Sequence, residues 1–274
     1  MAYERIRIEP VAAALGAEVS GVDLTQPLDN KMLDEIQSAW MQHQVLFFRD
    51  QNISAEQHKA FAGHFGELHV HPVLPSRAAE GHPELVVLES NEHLPYVADS
   101  WHSDVTFERR PPLGSVLHGV IIPAAGGDTM WASMYAAYEA LSDTMQRFLS
   151  SLHAVHDGGA FRAVATEAQK DDLAKDEAAI HPVIRTHPVT GRKALFVNSG
   201  FTRRIKGMRR KESTALLQFL FEHVTSPELS CRFRWRPHSI AMWDNRCTQH
   251  RVIGDNLRAH RRMERATICG DVPV

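Results

Sequence analysis

The segment Trp101-His102-Ser103-Asp104 carries a His-x-Asp pair whose partner, His250, stands far downstream in Asp244-Asn245-Arg246-Cys247-Thr248-Gln249-His250. If the three side chains act together, the fold must bring two distant segments to one point. Residues two apart on a strand point to the same side, so a strand through this segment is expected to aim His102 and Asp104 at one ion while Ser103 faces away. Two imidazoles and one carboxylate occupy one face of an octahedral Fe(II) and leave up to three positions for a cosubstrate and dioxygen. In a chain with 17 histidines the pair alone is also what chance gives at a polar surface. Its apolar neighbours Val105 and Phe107, the strand-like run over 115–122 and the second His segment near the C-terminus favour the site.

With 274 residues, 43% of them hydrophobic, the chain has material for a sizeable core. No Pro/Gly/Ser-rich linker, repeat or low-complexity tract divides it, so a single domain over 1–274 is expected. A formal net charge of −3 recommends neither nucleic acid nor anionic membrane as partner, and the basic runs Arg203-Arg204 and Arg209-Arg210-Lys211 read as solvated surface. The first residues mix charged and apolar side chains, and no segment approaches about 18 consecutive apolar residues; a soluble, cytoplasmic protein is expected. Cys231, Cys247 and Cys269 are odd in number and lack C-x-x-C spacing, which argues against disulfides and zinc knuckles. Cys247, three residues before His250, reads as a small buried hydrophobe rather than a thiolate ligand.

Met32, Leu33, Ile36 and Trp40 mark one face of a helix after Asn30, and Val45-Leu46-Phe47-Phe48 a buried strand. Ser54 and Gln57 suggest a capping box for a second helix that stops at Gly66. Strands are expected at Leu85–Leu88, through the His-x-Asp segment, at 115–122 and, after the Gly126-Gly127-Asp128 turn, at Thr129-Met130-Trp131. Ser142 caps a helix with Met145, Phe148, Leu149 and Leu152 on one side. Residues 157–180 are charged and long for a core connection; they read as a mobile insertion or a solvated one. Val183–Thr186 and Ala194–Val197 flank a Pro188-Val189-Thr190-Gly191 turn as a hairpin, Leu216 to Val224 mark a helix, and Cys231, Phe233 and Trp235 alternate with arginines as a half-buried strand. Ile240–Trp243 then leads into the His250 segment.

In the last strand Arg261, Met263, Arg265 and Thr267 share one face. The α-carbons of the two arginines are about 13 Å apart at ~3.3 Å rise per residue, enough to serve two anions in one pocket, and guanidinium forks bind carboxylate or sulfonate bidentately. An exposed strand with surface arginines is the alternative.

Taken together, Gly16-Ala17-Glu18-Val19-Ser20-Gly21-Val22-Asp23-Leu24, Phe65-Gly66-Glu67-Leu68, Trp101–Phe107, Gly126-Gly127-Asp128-Thr129, Trp243-Asp244-Asn245 and Gln249-His250 make the chain resemble, over nearly its whole length, the taurine dioxygenase family of Fe(II)/2-oxoglutarate-dependent oxygenases, which includes alkylsulfatases and aryloxyalkanoate dioxygenases. The resemblance implies a mainly β fold with flanking helices (α+β), its core a double-stranded β-helix or jelly-roll of the clavaminate synthase type. It implies His102, Asp104 and His250 as iron ligands, Thr129 and Arg261 on the distal carboxylate of the cosubstrate 2-oxoglutarate, and Arg265, His71 and the backbone of Val105 on the anionic head of the primary substrate, with Phe201 lining the pocket. Relatives of this kind are commonly oligomers, so a homo-oligomer is expected.

Departures from the taurine-specific pattern bear on substrate. Leu74 follows His71-Pro72-Val73 where those relatives carry Tyr, Ala98 stands for an Asn, and Gly158 for an aromatic. The resemblance then implies a roomier, more apolar pocket for an alkyl sulfonate, an alkyl sulfate or an aryloxyalkanoate, hydroxylated next to the heteroatom with release of succinate and CO2. Taurine itself is the alternative, and a zinc-dependent hydrolase with the same ligands is the rival from another class. His69-Val70-His71 reads as an anion-binding His71 beside a packing His69 rather than a second metal pair.

Overall fold

The computed structural model describes residues 3–71, 78–93, 99–159, 179–256 and 258–274. The chain opens on an antiparallel pair, β1 (Arg7–Pro10) and β2 (Ala17–Ser20), followed by α1 (Asn30–His43), β3 (Val45–Phe48) and α2 (Ala55–Gly63). Both helices start where a side chain can satisfy amides that have no intrahelical acceptor: Asp29 accepts from the Met32 N–H, and Ser54 forms a capping box with Gln57. Next come β4 (Ala78–Ala79), β5 (His82–Ser90), β6 (Gly114–Ile121), β7 (Thr129–Ser133), α3 (Met134–Glu139), α4 (Asp143–Leu149), β8 (His153–His156), β9 (Ala179–Pro182), the hairpin β10 (Ile184–Thr186) with β11 (Lys193–Leu195), β12 (Thr202–Ile205) and α5 (Arg210–His223). Four strands close the chain: β13 (Ser230–Phe233), β14 (Ile240–Asp244), β15 (Thr248–Val252) and β16 (Arg261–Ile268).

The strands do not pair in chain order. The large sheet runs β1-β2-β3-β14-β6-β16-β5-β4, and β13-β7-β15 forms a smaller one. Late strands thus insert between early ones, as in a jelly-roll. Side-chain alternation assigns the layers. Phe47, Leu117, Trp243 and Met263 of the large sheet meet Trp131, Cys231 and Phe233 of the small one. At alternate positions of the same strands, Leu46, Phe48, Val116, Met242 and Ala266 face the other way, under Ile36 and Trp40 of α1 and Phe61 of α2. Strand β3 is apolar at all four positions because both of its faces are buried. Phe47 stacks on Phe233 at 4.1 Å between centroids and meets Trp131 edge-on at 5.3 Å, which joins the two sheets through their largest apolar surfaces. At Gly114 a Cβ would stand 2.6 Å from both the Trp243 carbonyl and the Trp40 ring, so only glycine lets α1 close on the sheet there. Outside the small sheet, α3, α4 and α5 build a second core with Leu149, Leu195, Leu217 and Leu220.

Several expectations need correction. Helix α2 ends at Gly63, with Gly66 beyond it in the following turn. Phe148 is 45% exposed while Leu149 is buried, because α4 spans only seven residues and turns one narrow face inward. Strand β13 stops at Phe233, although Trp235 still packs inward. Helix α3 starts where the Ser133 hydroxyl accepts from the Ala136 N–H, immediately after a strand and without a separating turn signal. Of the insertion expected over 157–180, residues 160–178 lie outside the described residues.

Candidate metal centre

His250 lies on β15, where it is the register partner of Trp131 on β7; on its other side it forms an isolated antiparallel bridge with His102. The two histidines exchange both backbone hydrogen bonds, His102 N–H to His250 O at 3.0 Å and His250 N–H to His102 O at 2.8 Å. Directly opposed residues of an antiparallel pair present their side chains on one face. Trp131 points into the sandwich, so His250 and His102 point there too, with their rings 4.2 Å apart.

The strand expected to continue through Asp104 does not. Pairing ends at His102, and Asp104 and Val105 form a turn in which Val105 has φ of 53°, a left-handed conformation that costs of the order of 1–3 kcal/mol in a β-branched residue. Asn245 holds that turn. Its Oδ1 accepts from the Asp104 N–H at 2.7 Å, and its Nδ2 donates to the carbonyls of Asp104 at 2.9 Å and Pro112 at 3.0 Å. Side-chain bonds replace the missing strand partners, and the turn, rather than alternation, swings the Asp104 carboxylate back towards the histidines.

Asp104 Oδ1 ends 3.8 Å from His102 Nε2 and 3.9 Å from His250 Nε2, and the three donor atoms lie within 4.8 Å of one another. His102 Nδ1 faces the Ser100 carbonyl at 2.8 Å. A carbonyl only accepts, so Nδ1 carries the ring proton and the Nε2 lone pair is directed at the centre. Asp104 Oδ2 accepts from Ser115 Oγ at 3.0 Å. Burial lowers the pKa of both histidines, that of His250 to about 3, so both are neutral nitrogen donors. Burial would raise that of Asp104, but the Arg265 guanidinium, then His250 and His102, outweigh it and hold the carboxyl well below the usual range. Neutral imidazoles and an ionised carboxylate aimed at one point fit a non-haem Fe(II) ion.

Arg265 Nη1 donates to Asp104 Oδ1 at 2.7 Å, a contact that sequence spacing does not reveal. The guanidinium read as reserved for the substrate is therefore also the counter-ion of a candidate ligand, as a buried cation requires a nearby anion. His71 is buried within reach of the same charges: burial, then Arg265, lowers its pKa to about 3, with Asp104 opposing. The Phe201 ring stands edge-on to His102 at 6.1 Å and to Phe107 at 5.3 Å. A Cβ at Gly200 would lie 2.9 Å from the Cβ of His102, so the close approach of the Phe201 loop needs that glycine. Val105 is buried in the turn itself. Further along β16, Arg261 is also buried, and its stem runs within 3.3 Å of where a side chain at Gly127 would begin; the glycine turn thus seats Arg261 beside the strand that starts at Thr129. Thr129 is buried and its Oγ1 accepts from Trp235 Nε1 at 2.9 Å. Leu74 and Ala98 lie outside the described residues.

Sequence reasoning passed over Asn245, Ser115 and a buried polar support beneath the turn. There Thr106 Oγ1 lies 3.0 Å from His156 Nδ1 and accepts from Asn198 Nδ2 at 3.1 Å, while the Thr106 carbonyl lies 2.9 Å from His181 Nε2. The adjacency of Asn245 to Asp244 in a motif already singled out was the one available signal.

The family described as taurine catabolism dioxygenase TauD, TfdA family matches residues 7–267. The chain is 36% identical over 277 residues to an alpha-ketoglutarate-dependent sulfate ester dioxygenase of Pseudomonas putida, with 97% of this chain and 90% of that protein covered. The crystal structure of a taurine dioxygenase from Burkholderia xenovorans superposes with a TM-score of 0.86 at 39% identity, covering 99% of this chain and 93% of that one. The structure of AAD-2 in complex with Mn(II) and N-oxalylglycine superposes with a TM-score of 0.82 at 32% identity, covering 98% of each chain.

Proposed function

Because the chain belongs to the taurine catabolism dioxygenase TauD, TfdA family, we propose that this Fe(II)/2-oxoglutarate-dependent dioxygenase hydroxylates a C–H bond next to the heteroatom of a small anionic substrate, an alkyl sulfate before an alkyl sulfonate or an aryloxyalkanoate. The observation that carries the reading is the convergence of His102, His250 and Arg265 on one oxygen of Asp104. The sulfate ester activity named for the Pseudomonas relative supports the choice of head group, and Leu74, Ala98 and Gly158 support a pocket less suited to the amine of taurine.

Bound iron and 2-oxoglutarate supply the oxidising chemistry: dioxygen is consumed, the cosubstrate loses CO2, one oxygen atom enters succinate and the other enters the substrate C–H bond. In our reading His102, Asp104 and His250 hold the ion, and Thr129 and Arg261 take the distal carboxylate of the cosubstrate. Arg265, His71 and the backbone of Val105 hold the anionic head, so that the carbon beside it faces the metal. Phe201 and Phe107 exclude water from that carbon. An alkyl sulfate hydroxylated at its C–O carbon then breaks down to an aldehyde and free sulfate.

Arg261→Ala is expected to raise the KM for 2-oxoglutarate by roughly 10–100-fold, the loss of one charged hydrogen-bond pair, with kcat nearly restored at saturating cosubstrate. An unchanged KM would remove Arg261 from that role. Arg265→Ala is expected to raise the KM for the primary substrate by a similar factor and, through Asp104, to weaken iron binding as well; unchanged saturation curves for both would contradict the assignment. The whole reading is tested by succinate release across alkyl sulfates, alkyl sulfonates, aryloxyalkanoates and taurine. Fastest turnover with taurine would overturn the pocket reading, and no substrate-dependent succinate with any of them would overturn the oxygenase reading.

We further infer one catalytic domain over 1–274, a homo-oligomer and a cytoplasmic setting. Among the described residues no helix is long and apolar enough to cross a membrane. Light scattering showing a monomer at micromolar concentration would refute the oligomer.

A further inference from the structure

His118 on β6 and Glu264 on β16 are direct register partners. Their neighbours Leu117 and Met263 face the interior of the sandwich, so by alternation His118 and Glu264 face the opposite side, where α2 packs. Helix α2 lays His58 over the pair. Its Nε2 lies 3.0 Å from the Val116 carbonyl of β6, and its ring centroid lies 6.0 Å from that of His118. His58 and His118 are 1% and 4% exposed, and one donor atom from each of His58, His118 and Glu264 falls within 4.8 Å of the others.

Protonation separates this cluster from a self-satisfied polar network. The Val116 carbonyl can only accept, so His58 Nε2 carries the ring proton. Burial lowers the pKa of this ring to about 4, so at neutral pH Nδ1 is left with its lone pair. That Nδ1 is buried and has no hydrogen-bond partner, and the same holds for His118 Nε2. Burial lowers the pKa of the His118 ring, with Glu264 opposing. Two buried imidazoles, each with an unused ring nitrogen and one of them anchored to main chain, stand beside a carboxylate, the arrangement of metal-ligating histidines. Arg262 Nη2 donates to Glu264 Oε1 at 3.1 Å, which orients the carboxylate without exhausting its lone pairs. The superficially similar group of His187, Asp244 and Cys247 is closed instead: Arg246 and His187 occupy both Asp244 oxygens, and burial pushes the Cys247 thiol well up.

We propose that His58, His118 and Glu264 form a second metal site, distinct from the iron centre and suited to a divalent ion of the zinc class, which pins α2 to the back of the sheet that carries Arg265. Two neutral imidazole nitrogens and one carboxylate oxygen, with a water as fourth ligand, match that ion's ligand preference.

The test uses the full chain carrying His102→Ala and His250→Ala, which removes two donors from the iron centre. After stripping of metal, this protein is titrated with Zn(II), and its metal content is measured after gel filtration. The expected result is one zinc per chain and a raised melting temperature. Adding Glu264→Gln or His58→Gln is expected to weaken zinc binding at least about tenfold and to abolish the melting shift, with circular dichroism unchanged. Retention of no zinc by the background protein, or undiminished affinity in both further variants, would overturn the site. Should either added substitution disturb the fold, Co(II) titration of the background protein decides: ligand-field bands saturating at one equivalent support the site, and no such bands refute it.

Discussion

Replacing His102 with alanine is expected to abolish iron-dependent turnover, with a loss well beyond the roughly 10–100-fold that accompanies removal of a group merely supporting a ligand. His102 contributes a neutral Nε2 whose tautomer is fixed by the Ser100 carbonyl, and its backbone bridge to His250 aligns the second imidazole. Alanine keeps the bridge and deletes only the donor, so the fold should survive while one face of the ion is opened. Parallel measurements of iron stoichiometry, succinate release and circular dichroism separate these effects. Full activity in a folded His102→Ala protein would remove the residue from the ligand set.

The largest effect on stability is expected at Asp244, at the end of β14. Its two oxygens take Arg246 Nε at 2.9 Å, Arg246 Nη2 at 2.6 Å and a hydrogen bond with His187 Nε2 at 2.9 Å, all within the core. Asp244→Ala strands a buried guanidinium beside His187. Breaking a buried ion pair from one side costs about 3–5 kcal/mol, which corresponds to a fall of roughly 6–20 °C in Tm for a chain of this size. Asp244→Asn keeps some of the hydrogen bonds and should lie between. A fall of less than about 1 kcal/mol for Asp244→Ala, within the range of ordinary surface substitutions, would show that Arg246 finds another partner and that this network is not a support for the His250 strand.

The convergence of His102, Asp104 and His250 was legible because spacing and residue type carry chemistry: a His-x-Asp pair and a distant histidine in apolar surroundings suggest a chelate whatever the backbone does. The backbone itself was less legible. A strand through Asp104 was the natural reading of the spacing, yet Asn245, more than a hundred positions away, replaces strand partners with side-chain bonds and makes a turn instead. The two inward arginines of β16 follow from period-two alternation; the bond from Arg265 to Asp104 does not, since it depends on the pairing of β16 with β6 and on that same turn. Local signals succeeded where local physics decides, as in the Pro188–Gly191 hairpin, whose strands pair Ile184 with Leu195. They failed at Phe148, where the short helix α4 meets the core over one narrow face. His58, His118 and Glu264 sit on three segments with no shared motif, so only the pairing of β6 with β16 and the packing of α2 on that sheet bring them together.

The most direct measurement is an anaerobic titration of the metal-free protein with Fe(II) in the presence of 2-oxoglutarate, followed by visible absorption. Chelation of the cosubstrate to iron held by His102, Asp104 and His250 is expected to produce a charge-transfer band that saturates at one iron per chain and vanishes in the Asp104→Ala protein. No band in the intact protein, or one of equal strength in that variant, would contradict the proposed centre.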